Sequence, residues 1–392
     1  VDFAFSQEQE AFRQEVRAFL EAELPPDWVG YLAPTTGDHA VDGEEGWRVF
    51  RNMARKLGEK GWLSLFWPKE YGGQSRPYVD YLIFAEEVAR RGSPGYNPVA
   101  VKMFAPALIE YGTEAQKTQH LKLMSSGQEF WCEAFSEPEA GSDLAGLKTK
   151  AVKDGDDFLI NGEKTWGTFA THADWCCLLA RSDPEAQGTR GLSFFMVDLS
   201  SPGIEVIPIK NMANEFHFAQ IFFDEVRVSR ENLVGEENQG WRVAQAMLGY
   251  ERTSIEFVAM VQAVIEKLTA YTMTDPKLAA KAREPLAQLT IDAEIGRLLN
   301  YRVAWYYDQG RASAWQAAMA KLYCTDLFKR AAGVAMKVLG LYGQLDKEDK
   351  LAPERGWFEH AYLVSYAATI AAGTSEIQKN IIARKELDLP KG

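Results

Sequence analysis

Between Ser6 and about Leu123 the apolar positions fall at helical spacing. Phe12, Val16, Phe19 and Leu20 follow Ser6-Gln-Glu-Gln-Glu, which offers an N-cap and an acidic first turn. Breakers at Pro25-Pro26, Tyr71-Gly72-Gly73 and Gly92-Ser-Pro-Gly95 divide the stretch, predicting an all-helical first domain over 1–128. From about Glu129 the pattern changes to short apolar runs between turn residues: Phe158-Leu-Ile, Trp175-Cys-Cys-Leu-Leu-Ala, Leu192-Ser-Phe-Phe-Met-Val and Ala219-Gln-Ile-Phe-Phe. Asp154-Gly-Asp-Asp and Asn161-Gly-Glu read as hairpin turns, so a central β-barrel-like domain is predicted over 129–236. After Gly240 the period returns to 3.6. Amphipathic stretches 241–273, 285–309, 313–342 and 361–385, separated by Pro276, Gly310 and the polar 343–357 segment, predict an antiparallel four-helix bundle over 237–392. The expected fold class is therefore α+β and multidomain, with an N-terminal helical domain, a central β-domain and a C-terminal four-helix bundle.

Composition narrows the function classes. At 392 residues the chain exceeds what one core usually serves, and 46% hydrophobic against 25% charged residues gives ample apolar surface to bury. A net charge of -12 opposes nucleic-acid binding, which draws its affinity from clustered Lys and Arg. No apolar run reaches the roughly 20 residues that span a bilayer, and no signal-peptide core or Arg-rich transit pattern is present, so a cytoplasmic protein free of membrane is expected. Cys132, Cys176, Cys177 and Cys324 lack CxxC spacing and read as reduced structural thiols, and the five scattered histidines give no metal-ligand spacing, so no metal is expected. Without GxGxxG after a strand, GxxxxGK[ST] or GxSxG, the Rossmann, P-loop and α/β-hydrolase readings have no motif.

Four segments carry a family resemblance. Ala134-Phe-Ser-Glu-Pro-Glu-Ala-Gly-Ser-Asp-Leu-Ala-Gly146 resembles the first signature of acyl-CoA dehydrogenases, and Asn161-Gly-Glu-Lys-Thr-Trp-Gly-Thr168 resembles the second. Asp224-Glu-Val-Arg-Val with Val234-Gly-Glu-Glu-Asn-Gln-Gly-Trp241, and Ala372-Gly-Thr-Ser-Glu-Ile-Gln378 before Arg384, resemble the end of the β-domain and the closing helix. The likeness runs from about Phe3 to Pro390. It implies a non-covalently held flavin, FAD, with Trp166 packed against the ring and Thr168 and the Phe135-Ser136 segment bonded to its polar edge. Taken alone, Trp166 reads as a core tryptophan of a β-unit; beside the other motifs it reads as a flavin wall.

By the same resemblance Ser142 stands near the CoA pyrophosphate, although locally it is equally well a turn residue bonded to its own backbone. Arg283, at the start of a predicted helix, resembles the arginine that reaches the flavin pyrophosphate of a neighbouring subunit; alone it is a solvated charge. Thr374 and Glu376 match positions that contact flavin across the subunit boundary, with Glu376 standing where a neutral glutamine is often found. Sites shared in this way imply a dimer of dimers, as a homotetramer or heterotetramer.

α,β-Dehydrogenation of an acyl thioester needs a carboxylate for the α-proton. Many family members place a glutamate immediately before the closing Gly-Thr, but here Ala372 stands there, without a proton acceptor. The stretch after Trp241 offers a replacement. Ala244, Met247, Leu248, Ile255, Val258 and Ile265 form one apolar stripe, and Glu251 projects into it, where burial would raise its pKa toward that of a general base. Gly249-Tyr-Glu-Arg252 also resembles the Glu-Arg pair of isovaleryl-CoA and long-chain acyl-CoA dehydrogenases, whose base comes from this helix. The competing reading is a structural ion pair of Glu251 with Arg252 or Arg242.

The resemblance further implies that the Ala372 backbone N–H and the flavin ribityl 2′-hydroxyl polarise the thioester carbonyl. The volume released at Ala372 leaves room for a branched, cyclic or bulky acyl group, and Tyr96 and Asn97 fall in the segment 95–104 corresponding to the acyl-pocket wall, though they also read as a loop and helix start. The expected partners are an acyl-CoA and an electron-transfer flavoprotein. Alternatives are one subunit of a heteromeric enzyme with incomplete sites, an acyl-CoA oxidase, or a flavin-free scaffold that keeps only the fold.

Overall fold

The computed structural model describes residues 4–25, 28, 43–251, 253–311 and 313–390, with Gly43 and Glu251 described only in their backbone. The helices are α1 (Gln7–Glu23), α2 (Gly43–Glu59), α3 (Tyr78–Arg91), α4 (Ala105–Tyr111), α5 (Glu114–Ser125), α6 (Gly240–Glu251), α7 (Ile255–Thr272), α8 (Pro276–Asp308), α9 (Ala314–Leu339), α10 (Trp357–Ala368) and α11 (Ser375–Lys385). Between α5 and α6 run the strands β1 (Trp131–Ala134), β2 (Lys150–Asp154), β3 (Asp157–Thr168), β4 (Trp175–Arg181), β5 (Leu192–Asp198), β6 (Ile204–Ile209), β7 (Phe218–Val228) and β8 (Leu233–Val234). Helices, a sheet, then helices is the order the hydrophobic pattern predicts. No described helix is long and apolar enough to cross a membrane.

In space the chain forms two compact units. One comprises Val1–Thr36, Pro77–Ser93 and Arg252–Gly392; the other comprises Gly37–Arg76 and Pro94–Glu251. The first 128 residues are thus divided, with α1 and α3 in the first unit and α2, α4 and α5 in the second.

The first unit is helical. α7, α8 and α9 pack on one another, α10 and α11 lie on α9, and α3 joins α7 and α8. α7 is apolar through most of its length, with Ile255, Val258, Ala259, Val261, Val264 and Leu268 buried, as a central bundle helix requires. Gly296 of α8 permits the close approach, since a Cβ there would lie 3.2 Å from both Cys324 Sγ and Val258 Cγ2. α1 begins at the expected Ser6, whose side chain and that of Gln9 form a capping box. It is held to α3 by charges: buried Arg13 Nη1 meets Glu86 Oε2 at 2.9 Å and Glu87 Oε1 at 2.5 Å, and half-buried Arg17 Nε meets Glu87 Oε2 at 2.7 Å.

Three helix predictions need correction. The stretch 241–273 is broken between α6 and α7, where the Ser254 N–H is taken by buried Asn300 Oδ1 at 2.7 Å, a tertiary bond that periodicity does not register. Pro276 does mark the boundary after α7, but the helix predicted from 285 already begins there: Pro276 sits at the first helical position after the Asp275 cap, and Pro285 lies within α8. The stretch 361–385 is interrupted between α10 and α11, where Ala372 (φ 57°) and Gly373 (φ 82°) are left-handed and Thr374 caps the next helix.

The second unit is built on one sheet of order β6-β7-β3-β2-β4-β5-β8, with β1 parallel to β4 beside it. Alternate inward residues, among them Phe158, Ile160, Leu178, Phe195, Ile221 and Val226, form its core. Asp154-Gly-Asp-Asp does close the β2–β3 hairpin, with Asp154 opposite Asp157 and Gly155 at φ 65°. Asn161-Gly162 does not turn the chain. It lies inside β3, at a register shift against β7 between Ile160 and Gly162; a Cβ on Gly162 would come within 2.7 Å of Thr149 Cα, so this residue marks a bulge and a close backbone approach.

Candidate active site

Four of the residues that the motifs single out, Phe135, Ser136, Trp166 and Thr168, stand at one end of β3. After β1 the chain continues through buried Phe135 and half-buried Ser136, and the Ser136 carbonyl accepts the Thr165 N–H at 2.9 Å. One residue further, β3 slips against β7 between Lys164 and Gly167. Trp166 sits in this bulge at φ 65°, a conformation that bulky L-residues adopt only under constraint; the residue is 57% exposed and its ring lies edge-on to Phe218 at 5.8 Å. Trp166 is therefore not a core tryptophan. An outward-facing aromatic beside half-buried Thr168 is compatible with the flavin that the motifs imply.

Beyond Thr168 the backbone is again left-handed at Phe169 (φ 63°), whose ring packs against His217 at 4.7 Å and joins Trp47, Phe50 and Phe130. This cluster fixes the strand end from the α2 side.

The loop that follows Phe135-Ser136 carries Ser142, which is exposed, as an anion-facing turn would be. Its neck is closed by Glu137, whose carboxylate accepts the N–H groups of Lys148 (2.6 Å) and Thr149 (2.8 Å). Beneath it, fully buried Lys164 donates to Glu137 Oε1 at 2.8 Å and to the Phe135 carbonyl at 2.9 Å. Burial pushes the Lys164 ammonium down to about 8, against the pull of Glu137. Burial also raises Glu137, but Lys164 and the bonds from Thr149 and Lys148 outweigh it and hold the carboxyl below its usual range. Arg181 secures the loop's far limb: its guanidinium donates to the carbonyls of Ala145 (2.9 Å), Gly188 (3.1 Å) and Ala186 (3.2 Å).

Tyr96 and Asn97 are both buried. The Asn97 amide bonds the Trp131 carbonyl (3.1 Å) and accepts the Ala100 N–H (2.8 Å), so its polarity is spent on the local fold. Val99–Phe104 forms one π-helical turn. Pro106 has no N–H to return to this turn, and the Val101 carbonyl is instead taken by the indole N–H of Trp67 at 3.0 Å.

In the other unit, the turn between α10 and α11 carries Ala372 and Thr374. Gln378 Nε2 donates to the carbonyls of Ala372 (2.8 Å) and Gly373 (3.0 Å), and Lys321 Nζ donates to that of Gly373 (2.8 Å). Both carbonyls are thereby held back, whereas the Ala372 N–H makes no hydrogen bond among the described residues. Thr374 Oγ1 accepts the Ile377 N–H at 3.3 Å. Glu376, exposed in the first turn of α11, is held below the usual carboxylate range by its own backbone N–H and then by Thr374. Arg283 is exposed and lies inside α8 rather than at a helix start. Glu251 is the last residue of α6; its side chain, and Arg252 entirely, lie outside the described residues.

Sequence reasoning passed over Glu137, Lys164, Arg181, Lys321 and Gln378. A signal for one existed: the inward alternation Phe158, Ile160 continues to Lys164, placing an ammonium on the core face.

The comparisons with known proteins agree with the motifs. Models described as the N-terminal, middle and C-terminal domains of acyl-CoA dehydrogenase match residues 6–128, 132–226 and 238–387. Acyl-CoA dehydrogenase FadE26 of Mycobacterium tuberculosis is 32% identical, over 99% of this chain and 98% of its own. Among solved structures, the "Tcur3481-Tcur3483 steroid ACAD" aligns with TM-score 0.89 and 30% identity, covering both chains completely. The ChsE4-ChsE5 complex from Mycobacterium tuberculosis aligns with TM-score 0.89 and 31% identity, again over the whole of both chains. Motifs, domain order and full-length similarity lead to one conclusion: this chain belongs to the acyl-CoA dehydrogenase family.

Proposed function

We propose that the protein is an FAD-dependent dehydrogenase that converts an acyl-CoA thioester carrying a branched, cyclic or otherwise bulky acyl group to its 2-enoyl-CoA, with an electron-transfer flavoprotein as electron acceptor. The observation that carries this reading is the Ala372 turn. Its carbonyls are tied back by Gln378 and Lys321 while the Ala372 N–H has no partner among the described residues, the arrangement needed to polarise a thioester carbonyl and acidify the neighbouring C–H. Phe135, Ser136, Trp166 and Thr168 are proposed to hold the flavin, with Arg283, Thr374 and Glu376 serving it from a neighbouring subunit. When bound, flavin supplies the acceptor for the hydride leaving Cβ.

The α-proton goes to Glu251 in this proposal, because Ala372 has no group to receive it. Ser142 serves the CoA pyrophosphate, Arg252 stands beside the base, and Tyr96 and Asn97 belong to the acyl-pocket wall. The bulky acyl group is favoured by the small side chain at Ala372 and by similarity to a protein described as a steroid ACAD.

Similarity to a structure described as a complex of ChsE4 and ChsE5 favours a second reading of assembly, in which this chain pairs with a related one. The test is anaerobic bleaching of bound flavin by straight-chain, branched and polycyclic acyl-CoAs. Wild type is expected to bleach fastest with a bulky ester, and Glu251→Gln to keep its flavin but bleach at least ~100-fold more slowly. Equal rates for wild type and variant would remove Glu251 as the base, and preference for a straight chain would remove the bulky substrate.

A further inference from the structure

Lys164 is fully buried, and an ammonium in that position is costly unless its geometry serves something. An apolar pair of equal volume often stabilises a core as well as a buried ion pair does, so packing alone does not account for it. Its bonds indicate what it serves. Lys164 Nζ fixes the Phe135 carbonyl, and the next residue of β3, Thr165, fixes the Ser136 carbonyl, so two successive peptides are aligned by two successive strand residues. The same Nζ holds Glu137, which reaches across the neck of the loop to the N–H groups of Lys148 and Thr149, while Glu137 and Ala140 exchange backbone bonds of 3.1 Å. Arg181 anchors the other limb through Ala145. The loop carrying Ser142 is therefore held at its neck by the buried Glu137 carboxylate, beside an exposed Glu139–Lys148 pair, and on its far side by the Arg181 guanidinium.

We propose that Glu137 and Lys164 form a positioning pair that sets two ligand-facing segments together, Phe135-Ser136 toward the flavin and the Ser142 loop toward the pyrophosphate end of CoA. This rests on the function proposed above. In Glu137→Gln the carboxamide keeps the shape, but its NH2 meets either the Lys148 N–H or the Lys164 ammonium, donor against donor, and the neck opens. Lys164→Met keeps the volume and releases Phe135 and Glu137. A neck that opens displaces the Ser142 turn without touching the reacting carbons, so its effect depends on whether the substrate carries the pyrophosphate.

The experiment uses the best flavin-bleaching acyl-CoA and the matching acyl-pantetheine, which lacks pyrophosphate and nucleotide. Glu137→Gln is expected to raise KM for the CoA ester about tenfold, leaving KM for the pantetheine ester within about twofold. Lys164→Met is expected to weaken FAD binding to the apo-protein about tenfold, read by quenching of flavin fluorescence. Glu137→Asp, which keeps the charge but draws it back from the neck, should reproduce the KM split and serves if Lys164→Met does not fold. A role confined to stability would lower the urea midpoint while leaving the FAD dissociation constant and the KM ratio of the two esters unchanged, and that result overturns the proposal. Wild type that binds no FAD, or is reduced by neither ester, overturns the proposed function itself.

Discussion

Trp166 permits a test in which the sign of an effect is decided by one backbone angle. In ordinary strand geometry, replacing Ala by Gly costs about 0.5–1 kcal/mol, because glycine loses more freedom on folding. At φ 65° an L-residue pays roughly 1–2 kcal/mol that glycine does not. The two terms oppose each other, so Trp166→Gly should be more stable than Trp166→Ala by about 0.5–1 kcal/mol, the reverse of the usual order. Both variants lose the same ring from a residue that is 57% exposed, so truncation removes only about 100 Å2 of buried surface and roughly 2–3 kcal/mol from each. Urea denaturation of the two apo-variants measures the difference directly. FAD affinity should fall at least ~10-fold in both, because base or ring stacking on an aromatic face is lost equally. If Trp166→Ala proves as stable as Trp166→Gly, the bulge does not impose the left-handed conformation; if FAD binds as before, the ring is not a cofactor wall.

Two further outcomes concern stability. Arg13→Met should cost about 3–5 kcal/mol in urea denaturation, because Glu86 and Glu87 remain buried after losing their shared guanidinium; a loss below ~1 kcal/mol would mean that Arg17, Arg297 and Tyr301 suffice. For Lys164, the folded protein releases a proton near pH 8 that the unfolded chain keeps up to its ordinary value of 10.5, so this group's contribution rises as pH increases through that window, by up to about 3 kcal/mol. The stability of wild type relative to Lys164→Met should therefore grow from pH 8 to 10.5, and a constant or shrinking gap would contradict the burial argument. Glu137 acts at the other end: its depressed carboxyl contributes stability above the ordinary 4.5 that is lost as pH falls through the folded value.

The sequence by itself determined the helical, β and helical order, the Ser6 cap, the Asp154-Gly155 hairpin and the positions of the family motifs. All of these are local, since a period, a cap or a turn is set by neighbours a few residues away. Only the tertiary structure decided the rest. Whether Asn161-Gly162 turns or bulges depends on Thr149 lying against it, and whether 241–273 is one helix or two depends on Asn300, which contacts Ser254 from 46 residues away. Trp166 reads as a core residue in isolation and is turned outward by the slip of β3 against β7. The roles of Lys164, Arg181 and Gln378 depend on which carbonyls the folded chain brings within 3 Å or so of their nitrogens, and a linear pattern carries no record of those distances.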